Sequence, residues 1–220
     1  QSGGPKFAAL TNLIEGFFPS APPVARKFQF ANPSHKELRA SLEIQPSHCD
    51  MFAGKKVMLL ISKNTHLIWL RDLIEFNAKI HGVNAVLIYD NASTSYGLED
   101  ILATAAEIEG IESAAVVPWN FPWGARGGPA EIWDSDYAQY GAIEHARLRF
   151  LLDCEAVIYT DADELVVPNT GKSLFEAVAA SPSGIVGYHS HLMHKINAPE
   201  TPLLRFKDLL YAEREPHLLR

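Results

Sequence analysis

Two short apolar runs flank a helical pattern, and this arrangement narrows the possible folds more than any other feature. Residues 56–62 (KVMLLIS) and 83–89 (VNAVLIY) read as buried strands, because short aliphatic runs of this kind suit strands covered on both faces. Between them Trp69, Leu73, Phe76 and Ile80 recur at intervals of 4, 3 and 4, the period of a helix with one apolar face. Asn64 or Thr65 is placed to cap that helix, and Gly82 to end it. Strand, helix and strand within about 35 residues form a crossover unit, so the two strands run parallel.

The alternation continues. Residues 97–108 read as a helix, 114–118 as a strand and 156–160 as another strand. A long helix is expected from Asp134 or Ser135 to about Leu152, a short one over 172–180, and a further strand over 185–189. The expectation is an α/β domain with a mostly parallel central sheet and helices on both faces. Residues 1–54, punctuated by Pro19, Pro22, Pro23, Pro33 and Pro46, read as an irregular lead-in packing on the core. Within it Phe28, Phe30, Leu42 and Ile44 mark short strands. Residues 55–220 are then expected to form the main domain. Residues 119–128, rich in Trp, Pro and Gly, make a loop long enough to suggest function.

Ligands of such sheets bind at the carboxyl ends of the strands, and three polar groups fall there: Lys63-Asn64, Asp90-Asn91, and Asp161 with Asp163. The last lie in the run Val157-Ile158-Tyr159-Thr160-Asp161-Ala162-Asp163-Glu164-Leu165. Side chains at i and i+2 of an extended segment share a face, so Asp161 and Asp163 would stand together. Like charges that close repel unless a cation lies between them. Carboxylate oxygens suit Mg²⁺ or Mn²⁺, which bind through one or two carboxylates plus substrate phosphates. An acidic turn with no ligand is the alternative.

Asp90 could accept hydrogen bonds from a ribose hydroxyl or a base N–H, or could simply close an Asx-turn. Gln139 shares an apolar stripe with Ile143, Ala146 and Phe150 and needs a partner if buried; that partner is a ligand or nearby backbone. His189, His191 and His194 form a cluster whose first two members would share a face of the expected strand. One of them could supply a metal ligand or a base; ordinary surface histidines are the alternative.

The formal charge of −7 argues against a general nucleic-acid binder. No window reaches 18 uninterrupted apolar residues, so no membrane span is expected. The two cysteines, Cys49 and Cys154, are too few for a disulfide framework. A cytoplasmic or membrane-peripheral location is expected, with room for an anchor or signal upstream of this chain.

Together these residues resemble inverting glycosyltransferases of the GT-A fold, in the family-2-like and family-92-like branch. Lys63-Asn64-Thr65 stands where that branch carries Lys-Asn-Glu, and Arg71-Asp72-Leu73 where it carries Arg-Glu-Trp. Tyr89-Asp90-Asn91-Ala92-Ser93-Thr94 is similar to its Tyr-Asp-Asn-x-Ser-(Thr/Ser) segment. Gln139 precedes the long helix's core positions as the family's glutamine does, and Asp161 to Leu165 meets its Asp-x-Asp-Glu-(Phe/Leu) motif.

The resemblance implies transfer of a sugar from a nucleotide diphosphate sugar, UDP first among nucleotides, to a glycan or other hydroxyl acceptor in polysaccharide or glycan synthesis. It implies inversion and dependence on Mn²⁺ or Mg²⁺. Lys63, Asn64, Asp90, Asn91, Gln139 and Asp161 would bind the donor, and Asp161 and Asp163 the metal. The general base is unassigned: His189, His191, His194, Glu200 and Asp208 are available, with His191 and Asp208 foremost, unless a C-terminal truncation has removed it. Two rival readings are a degenerate GT-A domain that only binds a glycan or partner, and a phosphatase of the haloacid dehalogenase type.

Overall fold

The structure, a computed structural model, describes residues 47–124, 126–127, 133–134, 136–168, 171–194 and 203–209, with backbone strands at 6–9, 27–31, 39–43 and 211–212. The strands are β1 (Lys6–Ala9), β2 (Lys27–Ala31), β3 (Arg39–Glu43), β4 (Lys56–Ser62), β5 (Ala85–Asp90), β6 (Ser113–Pro118), β7 (Arg126–Gly127), β8 (Trp133–Asp134), β9 (Ala156–Tyr159), β10 (Met193–His194) and β11 (Tyr211–Ala212). The helices are α1 (Leu67–His81), α2 (Leu98–Ala106), α3 (Tyr137–Arg149) and α4 (Leu174–Ala180).

The central sheet has five strands in the order β1-β6-β5-β4-β9, and every pairing in it is parallel. From β4 the chain steps outward through β5 to β6, then returns to place β9 on the opposite side of β4. That reversal makes the gap between β4 and β9 a topological switch point, where loops diverge and leave a crevice.

Successive residues of the central strands pack on opposite faces of the sheet, and nearly all are buried. Met58, Leu60, Val86, Ile88, Ala114 and Val116 pack with Leu70, Leu73 and Ile74 of α1 and Ile101 and Ala105 of α2. Val57, Leu59, Leu87, Tyr89, Ala115 and Val117 pack with Ala142 and Ala146 of α3 and with Phe150. The domain is therefore α/β, Rossmann-like, with an all-parallel central sheet and helices on both faces.

Several expectations are corrected. Residues 1–54 are not wholly irregular: β1 extends the central sheet, whereas the short strands expected at Phe28, Phe30 and Leu42 do form, as the antiparallel pair β2 and β3. Ile44 lies outside the described residues. On α1 the buried line is Leu70, Leu73, Ile74, Asn77 and His81, while Ile80 is exposed. The line through Trp69 and Phe76 sits at the rim, where the Trp69 indole N–H donates to the Leu204 carbonyl at 2.7 Å. Adjacent stripes on a helix differ by only about 100°, so periodicity selected the neighbouring one.

The helix is capped at His66 without a side-chain bond. Asn64 and Thr65 bond elsewhere. Gly82 does end it, at φ 74°, a left-handed geometry that glycine adopts without a Cβ clash. The long helix begins at Tyr137 rather than at Asp134 or Ser135; Asp134 is in β8. Its buried line is Ala138, Ala142 and Ala146, followed by Phe150. Three alanines one turn apart let α3 lie close to the sheet, and Gln139 and Ile143 flank that line.

The strand expected over 185–189 does not form. The Ser181 and Ser183 hydroxyls donate to the Ile185 carbonyl at 2.9 and 3.3 Å, occupying an acceptor that a ladder would need. The later pairing is β10 with β11. Among the described residues, no helix is long and apolar enough to cross a membrane.

Candidate functional site

The loops that follow β4 and β5 are stitched together by Asn64. Its side-chain oxygen accepts the N–H groups of Thr94 at 2.8 Å and Ser95 at 3.1 Å. Its own N–H donates to Ser93 Oγ at 2.8 Å. Such bracing holds Asn64 at φ 53° and Ala92 at φ 58°, a left-handed region that asparagine tolerates and alanine seldom enters. Strain of this kind persists only where surrounding contacts enforce it.

Asp90 ends β5 and is buried. One carboxylate oxygen accepts the N–H of Ser93, three residues on, at 3.1 Å. The other, Oδ1, is buried with no hydrogen-bond partner among the described residues. A buried carboxylate oxygen left unsatisfied is costly, so Asp90 holds an acceptor in reserve. Asn91, also buried, points its amide the other way. Its Nδ2 donates to the carbonyls of Trp119 at 2.7 Å and Phe121 at 2.9 Å. Asn64 and Asn91 thus brace the loops through their side-chain amides.

These loops enclose a cleft of about 470 Å³ at the carboxyl ends of β4, β5 and β6, lined by Lys63, Asn91, Asn120, Phe121 and Trp123 among others. Phe121 and Trp123 are 57% and 41% exposed, large flat surfaces left in contact with solvent. Lys63 is exposed and forms no ion pair among the described residues. Beneath the cleft Trp119 meets Tyr89, Phe121 and His145 with ring centroids 5.3, 4.7 and 5.3 Å away. A Cβ at Gly141 would come within 3.2 Å of the Trp119 ring, so the glycine in α3 makes room for that indole.

Next to this aromatic layer, His145 Nδ1 is 2.8 Å from the Tyr89 hydroxyl. Burial, reinforced by the neighbouring Arg149 and His48 charges, pushes the imidazole down to about 4. A base whose folded pKa lies below its unfolded value near 6.5 takes up its proton more readily when unfolded. Its contribution to stability is therefore complete above pH 6.5 and is lost as pH falls toward 4. Allowing for solvent screening of a half-buried group, the loss amounts to about 1–2 kcal/mol. In urea titrations at pH 7 and pH 4.5, His145→Gln should lose less stability on acidification than the unsubstituted protein.

The acidic run adopts a geometry different from the extended one expected. Strand β9 ends at Tyr159, and a tight turn follows in which the Glu164 N–H donates to the Asp161 carbonyl at 3.2 Å. The Thr160 hydroxyl lies 3.3 Å from the carbonyls of both Asp161 and Glu164. The turn, rather than strand alternation, brings the carboxylates together. Desolvation, then Asp163 and Asp136, raise the Asp161 pKa. Desolvation, then Asp161, raise that of Glu164, with Asp163 adding a smaller push. Among the described residues no lysine or arginine pairs with Asp161, Asp163 or Glu164.

Among those residues, too, no set of three His, Cys, Asp or Glu side chains converges as a ready-made cage. Two exposed carboxylates with mutually unfavourable charge still fit Mg²⁺ or Mn²⁺, which commonly takes its remaining ligands from phosphate and water. Asp161 and Asp163 are the pair that would hold it.

Gln139 reaches this corner and donates to the Tyr159 hydroxyl. The Tyr188 hydroxyl donates to the Tyr159 carbonyl at 3.0 Å. The Trp123 indole N–H donates to Asp136 Oδ1 at 2.8 Å. Sequence reading missed Asp136, Tyr159 and Tyr188. The signal for Asp136 was there: an aspartate opening the long helix, just after an aromatic loop already marked for function.

The base candidates lie elsewhere in chemical terms. Asp208 ends a 3₁₀ turn over Phe206–Asp208, and its Oδ2 accepts the Arg205 N–H at 2.9 Å. Arg205 in turn pairs with Asp72 of α1 through Nε at 2.7 Å. His189, His191 and His194 are exposed, with His191 outside any strand. Glu200 lies outside the described residues.

The structure thus gathers Lys63, Asn91 and the loop braced by Asn64 around one cleft, while Asp90, next to Asn91 in the chain, is buried. Asp161, Asp163 and Gln139 gather around the end of β9. Trp123 and Asp136 join the two groups. No family model, curated protein or solved structure matches the chain.

Proposed function

We propose that this chain is a metal-dependent glycosyltransferase of the GT-A type, which takes a sugar from a nucleotide diphosphate sugar and delivers it to a hydroxyl acceptor. The observation that carries this reading is the acidic turn at the end of β9, which no lysine or arginine pairs with among the described residues, together with the buried Asp90 at the end of β5, whose Oδ1 has no partner among those residues. A pyrophosphate donor has the complementary parts: a base with an N–H and a flat face, and a diphosphate that needs a cation.

Each residue has a separate task. Asp90 Oδ1 would accept a base N–H, and the exposed faces of Phe121 and Trp123 offer stacking surface. Lys63 at the cleft wall would favour the phosphates by its charge. Asp161 and Asp163 would hold Mn²⁺ or Mg²⁺, which when bound supplies positive charge against which a nucleoside diphosphate can depart. Gln139, bonded to Tyr159, would keep the strand end that carries Asp161 in place. A UDP-sugar is the first donor to try, and a glycan or other hydroxyl compound the acceptor.

The binding-only alternative is favoured by one observation: Asp208, the foremost carboxylate candidate for the base, is engaged in closing its own turn. The phosphatase alternative is weakened by the end of β4, the first parallel strand of the crossover series. It carries Ser62 and Lys63, where such an enzyme needs a nucleophilic aspartate.

The test is nucleotide release from UDP-, GDP- and TDP-sugars, with Mn²⁺ and with chelator. The expected result is release from one donor that disappears with chelator and in Asp163→Ala. Metal-dependent UDP binding without release would favour the binding-only domain. Neither binding nor release would overturn the proposal.

A further inference from the structure

Asp136 occupies the N-cap position of α3, yet its side chain makes no capping bond. Aspartate at such a position ordinarily accepts an N–H from the first turn, worth about 0.5–2 kcal/mol. Instead Oδ1 accepts the Trp123 indole N–H at 2.8 Å. The backbone reinforces the pairing. The Ala138 N–H donates to the Trp123 carbonyl at 2.9 Å, and the Tyr140 N–H to the Asp136 carbonyl at 3.0 Å. One turn further along α3, Gln139 bonds to Tyr159, two residues before Asp161. The first turn of α3 therefore touches the aromatic wall of the cleft on one side and the end of β9 on the other. Asp136 accordingly adds its charge to the field at Asp161.

We propose that Asp136 is a positioning residue, tethered by Trp123, that couples the aromatic wall of the cleft to the charge state of the carboxylate turn. Asp161 and Asp136 are like charges that make each other's ionised form less favourable, and the Trp123 N–H offsets part of that cost at Asp136. Neutralising Asp161, by a cation or by substitution, removes that repulsion and alters the Trp123–Asp136 pair. By reciprocity, whatever seats on Trp123 alters cation affinity at the turn. The proposal rests on the functional reading for its use of a cation, but the coupling itself can be measured without one.

The experiment follows Trp123 fluorescence, isolated as the difference between each protein and its Trp123→Phe counterpart. Asp161→Asn should change the Trp123 emission when Asp136 is present and leave it unchanged in an Asp136→Asn background. An equal change in both backgrounds, or none in either, would overturn the coupling. A second measurement titrates Mn²⁺ alone by calorimetry, where Asp136→Asn should weaken binding about 3- to 10-fold through loss of a nearby charge. Asn at 136 can still accept the indole N–H, so a purely structural role predicts no such loss, and parity with the unsubstituted protein counts against the proposal. If the unsubstituted protein binds no Mn²⁺, the cation in the functional reading fails, and the fluorescence comparison still decides the coupling.

Discussion

Asp161→Asn is expected to remove metal-dependent nucleotide release by about 10³-fold, the scale seen when a preorganised charge-stabilising group is lost, while making the metal-free protein slightly more stable. The two effects have one cause. Burial and the neighbouring Asp163 and Asp136 raise the pKa of Asp161 in the folded state, so folding disfavours its ionised form. For an acid shifted upward, stability falls as pH rises through the folded pKa, and at neutral pH that destabilisation is present. An amide of the same shape removes it. Because Asp161 is only partly buried and remains in contact with solvent, the gain is under about 1 kcal/mol.

Thermal melts in chelator at pH 7, set against release assays with Mn²⁺, read both sides. A variant that loses release and melts at or above the parent temperature supports a site maintained at a cost to the fold. A variant that releases nucleotide as before ends the metal assignment at Asp161. One that melts many degrees lower makes the residue structural.

Phe150→Ala is expected to destabilise the domain by about 3–5 kcal/mol, which for a chain of this size lowers the melting temperature by about 10 °C or more. Phe150 is fully buried. It lies where α3 ends, 5.4 Å from the His48 ring, 6.1 Å from Phe52 and 5.9 Å from His145. The buried line of α3 consists of alanines, which are too small to fill the space left behind. Phe121→Ala is the control. Phe121 projects from the cleft rim at 57% exposure, and its removal should leave urea unfolding near the parent value. Similar losses in both variants would show that the α3 face is not the anchor described.

Some of this was legible in the chain. The apolar runs at 56–62 and 83–89 became adjacent parallel strands, because a continuous aliphatic run leaves a strand no polar face to expose. The capping box before α4, in which Ser173 and Glu176 each accept the other's N–H, has only local requirements. By contrast, Asn64 was expected to cap α1 or meet a ligand, and it binds residues 29 to 31 positions away. No local pattern carries that pairing. Residues 185–189 look like a strand by composition, but a strand needs a neighbour, and local serine hydroxyls supplied an alternative.

At the site the division is similar. Residue type and position showed that Asp90 and the Asp161–Asp163 pair would stand at strand ends, since the apolar-to-acidic switch is written in consecutive residues. The sequence by itself determined the strand–helix alternation, the parallel sense of β4 and β5, and the acidic end of β9. Only the tertiary structure decided that the carboxylates meet through a turn, that Asn91 is engaged in holding Trp119 and Phe121, and that Asp136 forsakes its cap for Trp123. The reason is physical. Periodicity and capping depend on neighbours within one or two turns. Hydrogen bonds between loops depend on which strand ends the sheet order brings side by side, and that order is set by packing across the whole core.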